Sequence, residues 1–286
     1  PVITGKKSEK EKFVGAVYTL TMESLMPDGK ALQMGTTHFL GQNFSKPFEV
    51  KYADKNNVEN FVWQTSWGVS WRLIGGMIMV HGDDKGLVLP PRVAPIQVVI
   101  IPIYHSDEEK NTVLEKSSVI KQELETCKLR VRLDDRDQVT PGFKFNDWEM
   151  KGVPIRIEIG PKDLEHDKVV LVRRHNQQKQ EHPINGLVEK IVTDLDNIHS
   201  DMFSDAQKIL TDRTINVETY DEFKSELEKG MLIKAAICEN PSCEEKIKEE
   251  TGADIRVIQD DCNDEVSKCV YCTNQSKIRP LFARGY

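Results

Sequence analysis

The chain has 286 residues, with 39 basic against 46 acidic side chains and a formal net charge of −7. That balance excludes a protein whose affinity rests on bulk attraction to phosphate, so any nucleic-acid contact has to be local and shape-selective. The length is comfortable for two or three domains. No run of 18 apolar residues occurs, and the opening PVITGKKSEKEKF holds lysines without an apolar core; neither a membrane span nor a secretory leader is expected, and the chain reads as cytoplasmic.

Residues 13–93 are dense in short β signals. FVGAVYTLTMESL, the turn PDGK, ALQMGTTHFLGQNF and NFVWQTSWGVSW predict an antiparallel sheet. WRLIGGMIMVHG is expected to be a buried helix in which Gly75 and Gly76 admit a close neighbour. Pro90 and Pro91 lack backbone donors and interrupt any helix or central strand.

From about Ala94 strand and helix alternate, which predicts an open mixed sheet covered by helices. IQVVIIPI is a continuous apolar strand, and Ser106 with Glu109 makes a capping-box signature ahead of a helix whose Val113, Ile120, Leu124 and Cys127 share one face. KLRVRL, VPIRIEI and KVVLVRR follow as strands, with FNDWEMKG as a short helix and HNQQKQEH at 175–182 as a polar loop. Beyond His182, Ile184, Leu187, Val188, Ile191, Leu195, Ile198 and Met202 recur at three- and four-residue steps, a long amphipathic helix suited to linking two modules.

Six cysteines are too few for a disulfide scaffold. Cys238 and Cys243 form Cys-x4-Cys, and Cys269 and Cys272 form Cys-x2-Cys. Each short loop presents two sulfurs to a shared point, so the four predict a closed, structural tetrahedral Zn²⁺ site, with unpaired buried thiols as the alternative. Cys127 is read as core and Cys262 as a bystander outside the paired spacing.

ALQMGTTHFLGQNFSKPFEV, WQTSWGVSWRLIGGMIMVHGDDKGLVLPPRVAPIQVV and PGFKFNDWEMKGVPIRIEIGPKD together closely resemble the prolyl-tRNA synthetases of the archaeal and eukaryotic-like subtype, which are class II aminoacyl-tRNA synthetases. The likeness runs along essentially the whole chain, the cysteine quartet and the closing FARGY included. It implies an α+β and α/β multidomain fold. Residues 1–93 would be the C-terminal part of a class II antiparallel-sheet catalytic core, with GLVLPPRVAP as its motif 3. Residues 94–182 would form a mixed α/β anticodon-binding domain, and residues 183–286 a linker helix and a small zinc-binding α+β domain.

The implied activity is ATP-dependent conversion of L-proline to prolyl-adenylate, then transfer to tRNA(Pro) in translation. Little proton transfer is needed, so the site must position reactants and neutralise growing phosphate charge, a task suited to an arginine fork. The resemblance assigns Arg72 to the ATP phosphates together with Mg²⁺, and His38 to the prolyl group, as the two catalytic residues. It puts Gln33 and Thr36 beside ATP, Ser66, Trp67 and Gly68 along the amino-acid pocket, and Ser70 near the nucleotide. Anticodon contacts fall on Glu149, Arg156, Lys162 and Asp163, a mixed-sign set matching the donor and acceptor edges of splayed bases. A surface ion pair for Arg72, a satisfied core role for His38 and a solvated face for the anticodon charges are the plainer alternatives.

The pattern also breaks. Motif 1, which builds the family's dimer, and motif 2, which carries a second phosphate-gripping arginine, have no counterpart before EKFVGAVY. The chain is therefore expected to be the C-terminal part of a homodimeric synthetase that pairs through the absent front, and by itself to activate no proline. A non-catalytic tRNA-binding fragment and a silent synthetase paralogue are the competing readings. The resemblance further implies that the Tyr286 carboxylate folds back toward the active site.

Overall fold

Short strands lead the chain because β-branched and aromatic residues alternate with polar ones between tight turns. The computed structural model describes residues 1–259 and 266–286, so Cys262 lies outside the described residues. The first elements are β1 (Ile3–Lys6), β2 (Tyr18–Leu25), β3 (Ala31–Gly41), β4 (Lys51–Ala53), β5 (Glu59–Phe61), β6 (Gln64–Gly68) and α1 (Arg72–His81). Strands β1, β2, β3 and β6 form, in that order, an antiparallel sheet, and β4 with β5 makes a separate hairpin. PDGK turns as predicted, with Met26 N donating to Lys30 O at 2.9 Å. Gly29 there has φ +82°, and a Cβ on it would collide with the backbone of Gly230, so glycine is needed twice over.

Strand β2 inverts the usual pattern. Thr19, Thr21 and Glu23 are 1 %, 1 % and 3 % exposed, whereas Tyr18 and Leu20 on the alternate face are 41 % and 39 % exposed. A buried polar face is the informative departure, since polar groups are enclosed only where they are paired or used. Helix α1 forms where predicted but is not buried: Gly76 alone is enclosed. A Cβ at Gly76 would lie 2.8 Å from the Met34 methyl and 3.2 Å from Leu32, so the helix meets β3 through that glycine, while Gly75 faces open space. These residues, with 207–286, make one unit, Pro1–Gly76 and Gln207–Tyr286; Met77–Ala206 make the other.

The second unit is built from β7 (Val98–Pro102), α2 (Asp107–Thr126), β8 (Val131–Leu133), α3 (Pro141–Met150), β9 (Ile155–Ile159), α4 (Pro161–Glu165), β10 (Lys168–Arg173), β11 (Lys179–Pro183) and most of α5 (Leu187–Asp212). Its mixed sheet runs β11-β10-β9-β7-β8, parallel between β7 and its two neighbours and antiparallel from β9 to β11. One face carries Val98, Ile100, Ile155, Ile157, Val169 and Leu171 against Val113, Ile120 and Leu124 of α2. The other face places Val99 and Ile101 against Trp148 of α3. Ser106 caps α2 as expected, with Glu109 N donating to Ser106 Oγ, but the Glu109 carboxylate accepts from His105 N rather than from Ser106 N, so the box is not closed reciprocally.

Two local expectations change and a third is extended. Cys127 is exposed, because the helix ends at Thr126 and the cysteine caps it outside the core. Within the stretch 175–182 read as polar loop, residues 179–182 belong with Pro183 to the edge strand β11, whose exposure alternates as one-sided pairing requires. The amphipathic helix read as a linker does pass from the second unit into the first at Ala206 and Gln207, and on the way it puts Leu187, Ile191, Leu195, Ile198 and Met202 into the core of the second unit, since an apolar stripe of that width is stable only when covered. The carbonyls of Pro91, Arg92 and Ala94, freed where the prolines break the chain, accept from the Arg130 guanidinium.

The chain returns to the first unit with β12 (Thr214–Val217), α6 (Tyr220–Glu228), β13 (Leu232–Ala235), α7 (Pro241–Thr251), β14 (Ala253–Val257), β15 (Ser267–Lys268), β16 (Gln275–Ser276) and β17 (Leu281–Arg284). The order β12-β13-β17-β14 makes a second four-stranded sheet. Leu25 and Ala31 of the first sheet pack with Leu232, Val257, Leu281 and Ala283 of the second, and Arg256 donates to the buried Glu23 carboxylate at 2.7 Å.

The second unit also encloses a charge. Asp134, 2 % exposed, follows β8 and accepts from Arg136 Nε and Nη2 at 2.8 and 2.7 Å and from Trp148 Nε1 at 2.7 Å, while Lys144 Nζ donates to its carbonyl at 3.0 Å. Burial works against the carboxylate, but Arg136 and Trp148 outweigh it and hold the group down to about 2. A depressed carboxyl stabilises the fold fully above its unfolded value of about 4 and ceases to do so as pH falls toward 2. Asp134→Asn is therefore expected to destabilise by about 1–3 kcal/mol at pH 7, with the gap closing between pH 4 and 2. Urea titrations of both proteins across that range check it; a gap independent of pH would contradict it.

Candidate functional site

The buried polar face of the first sheet is completed by β3. Cross-strand neighbours share a face, and β3 pairs Thr36 with Thr21 and His38 with Thr19 on one side, and Thr36 with Gly68 and His38 with Ser66 on the other. Gln33 would be out of phase with Thr36 by its spacing. A β-bulge corrects this: Met22 pairs with Gly35 and Glu23 with Gln33, so Met34 is the extra residue and Gln33 falls on the face of Thr36 and His38. His38 Nδ1 lies 2.9 Å from Thr19 Oγ1 and Nε2 lies 3.2 Å from Thr36 Oγ1, with the Phe13 ring 4.9 Å away. Burial lowers the His38 pKa, and the charge of Lys7 acts in the same direction.

Of the other residues the resemblance selected, Ser66 and Gly68 share this face, whereas Trp67 pairs with Thr37 and takes the opposite one. Trp67 is 77 % exposed. Arg72 opens α1, is exposed, and sends Nη1 to Gln33 O at 3.4 Å, while its amide donates to Ser70 Oγ at 3.3 Å. Ser70 thus caps the helix start, and Arg72 reaches back over the strand bearing Gln33. A cavity of about 540 Å³ lies mainly against the reverse face, lined by Thr4, Leu20, Met22 and Thr37, and reaches Thr21, Gly35 and Thr36 at its edge, without His38, Gln33 or Arg72. The chain end lies beside the first residue of β3: Tyr286 N donates to Ala31 O at 3.3 Å, and its hydroxyl to Asp28 at 2.7 Å.

The four charged residues expected at an anticodon divide in two. Glu149, at the end of α3, and Arg156, on β9, line one recess with Trp148, Arg174 and Gln177. Glu149 accepts from Lys85 at 3.0 Å, and its carbonyl accepts from Arg174 Nε at 2.9 Å. The Arg156 guanidinium lies 4.4 Å over the Phe145 ring and donates two hydrogen bonds to Glu158 Oε1, at 3.0 and 2.8 Å. Lys162 and Asp163 lie on the short α4; Lys162 is exposed, while Asp163 caps the helix by accepting from Gly160 N at 2.9 Å. Glu158 escaped sequence reasoning, although IRIEI puts it two residues from Arg156 and hence on the same strand face. Thr19 left no signal at all, since only strand register brings it to His38.

The cysteines converge. Cys238, Cys243, Cys269 and Cys272 present sulfurs all within 4.8 Å of one another, with Cys238 Sγ 3.6 Å from Cys243 Sγ and 3.5 Å from Cys272 Sγ. These are free thiols, and a tetrahedron with metal–sulfur bonds of about 2.3 Å has edges of about 3.8 Å, so the donor set fits a metal ion. Cys243 lies in the first turn of α7, whose Asn240 cap accepts from Ser242 N at 3.1 Å. Thr273, φ +63°, turns the chain after Cys272. Burial pushes the Cys238 and Cys243 thiols up, whereas the Asn274 amide holds Cys272 down to about 7. A cation at the centre favours all four thiolates.

Known proteins match this sequence. Residues 97–194 match the family described as anticodon binding domain, and residues 220–286 match that described as prolyl-tRNA synthetase, C-terminal. A proline-tRNA ligase of Cenarchaeum symbiosum is 57 % identical over 286 residues, all of this chain and 60 % of that protein. Proline-tRNA ligase 2 of Clostridioides difficile is 49 % identical over 287 residues, and a proline-tRNA ligase of Natranaerobius thermophilus 48 % identical over 289, each covering all of this chain and 59 % of the relative. The chain thus spans about three fifths of the length of these relatives. Along its whole length the chain is similar to part of the proline-tRNA ligases, and its residues 220–286 match the C-terminal family of prolyl-tRNA synthetase.

Proposed function

We propose that the chain is part of a proline-tRNA ligase that joins L-proline to ATP, releasing pyrophosphate, and then passes the prolyl group to tRNA(Pro). The observation that carries this reading is the 57 % identity along all 286 residues to a proline-tRNA ligase. The polar face of β2 and β3 supplies the geometry. In this reading a carboxylate oxygen of proline attacks the α-phosphorus of ATP while the bond to the pyrophosphate oxygen breaks. Arg72, projecting beside Gln33, holds phosphate oxygens as their charge grows. Gln33 and Thr36 face the nucleotide, with Ser70 fixing the start of the arginine's helix, and His38, Ser66 and Gly68 border the proline, while Trp67, which the resemblance assigned to the same pocket, lies on the reverse face.

The reading takes 1–93 as the later part of a class II catalytic core, 94–182 as the anticodon-binding domain and 183–286 as linker helix and zinc domain. It includes a cytoplasmic homodimer, whose second copy pairs through residues that precede this segment in the longer relatives. Mg²⁺ would enter with ATP and help to neutralise the charge growing on the phosphates beside Arg72. Zn²⁺ is the ion for the four converging cysteines. It would stabilise the fold around Cys238, Cys243, Cys269 and Cys272 without touching substrate. Glu149, Arg156, Lys162 and Asp163 read the anticodon, with Phe145 as the platform under the Arg156 guanidinium.

Proline-dependent ATP–pyrophosphate exchange by a full-length ligase carrying this segment tests the activity. Arg72→Ala is expected to lower kcat/KM for exchange by about 10²–10³, and retention of normal exchange would refute the role given to Arg72. Arg156→Ala is expected to weaken tRNA(Pro) binding by about 1–3 kcal/mol and to relax discrimination against substituted anticodons, leaving exchange unchanged; filter binding with native and anticodon-substituted transcripts measures both. The 286-residue chain is expected to bind one equivalent of zinc, and its Co²⁺ form to show sulfur-to-metal charge-transfer absorption. Cys269→Ser should abolish stoichiometric binding and lower Tm, and a chain whose Tm ignores chelation would rule the structural site out.

A further inference from the structure

Thr19 is 1 % exposed, and its hydroxyl sits against the imidazole of His38. Its oxygen already accepts from Phe13 N, at 3.1 Å, and its other partner among the described residues is His38 Nδ1, at 2.9 Å. A threonine hydroxyl carries one hydrogen. If Nδ1 were protonated, that hydrogen would be buried without an acceptor, which is the costly arrangement. If Nδ1 accepts, every group in the chain is satisfied: Phe13 N–H to Thr19, Thr19 O–H to His38 Nδ1, and His38 Nε2–H to Thr36 Oγ1 at 3.2 Å.

We propose that Thr19 is a positioning residue that fixes His38 as the Nε2–H tautomer and so orders the polar face of the sheet. Thr36 then accepts from His38 and keeps its own hydroxyl hydrogen for a ligand, so the face presents a donor at Thr36 and selects a group with an acceptor oxygen or nitrogen there. The lowered pKa of His38 agrees with a ring that remains uncharged near neutrality. The Phe13 ring packs on the imidazole and limits its rotation. The effect on proline rests on the reading of His38 given above, whereas the tautomer depends only on the contacts of Thr19.

Long-range ¹H–¹⁵N correlation spectra of the histidine rings in the 286-residue chain at pH 7.5 decide the matter. The unaltered chain is expected to show His38 protonated at Nε2 with Nδ1 accepting. Thr19→Val, which keeps the shape and removes the hydroxyl, should shift the ring toward a tautomer mixture, and Thr19→Ser should restore the original pattern. An Nδ1–H tautomer in the unaltered chain overturns the inference without any variant, as does a Thr19→Val ring identical to it. In the full-length ligase, Thr19→Val should raise KM for proline about five- to tenfold, with Thr19→Ser near normal. If the spectra follow expectation while KM for proline is unmoved, the tautomer assignment stands and the prolyl role of His38 falls.

Discussion

The single inserted residue at Met34 is the constraint on which the candidate active face depends. In an unbroken strand Gln33 and Thr36 point to opposite sides, because side chains alternate with period two. The bulge opposite Met22 and Glu23 shifts the phase once, so that Gln33, Thr36 and His38 line the same surface as Thr19, Thr21 and Glu23. Gly76 of α1 packs on the Met34 and Leu32 side chains, and Arg72 at the head of that helix consequently lies by Gln33. Backbone irregularity, helix docking and the placement of a fixed positive charge are thus successive effects of one register shift.

That face is held by polar contacts rather than by apolar packing. Glu23 accepts from Thr21 and from Arg256 of β14, and Thr19 and Thr36 bracket the imidazole. Such an arrangement gives little net stability compared with an apolar surface of the same area, because each buried polar group must be satisfied before it contributes. What it supplies is orientation, the requirement of a site that works by placing reactants and charge. The enclosed Asp134 network in the other unit shows the contrasting use of buried charge: its donors come from Arg136, Lys144 and Trp148, all inside one helix-and-strand cluster, and they tie α3 to the sheet.

Much of this was legible in the residues. The continuous apolar IQVVIIPI could only be a central strand, and Ser106 with Glu109 declared the helix start, because both signals are local and strong. The paired cysteines predicted their own convergence from spacing. Other features depended on tertiary context. Cys127 fits the helical face by arithmetic, but the helix stops one residue earlier. Lys179–Pro183 has too little apolar content to declare a strand, and pairing with β10 makes it one. The stripe on α5 was plain, yet its pattern cannot say which core it covers. Trp67 lies in the matching motif, but alternation carries it to the far face from His38. Thr19 and Glu158 came to light only through register and contact.

The central claim is that the surface of Thr36 and His38, and not the reverse side of the sheet, receives the activated amino acid. A crystal structure of the full-length ligase with a non-hydrolysable prolyl-adenylate analogue measures this most directly. The account predicts the pyrrolidine ring beside His38 and the Arg72 guanidinium within about 3 Å of the phosphate-mimicking group. An analogue seated against Leu20, Met22 and Thr37, or an Arg72 still directed at solvent with the analogue bound, would contradict it.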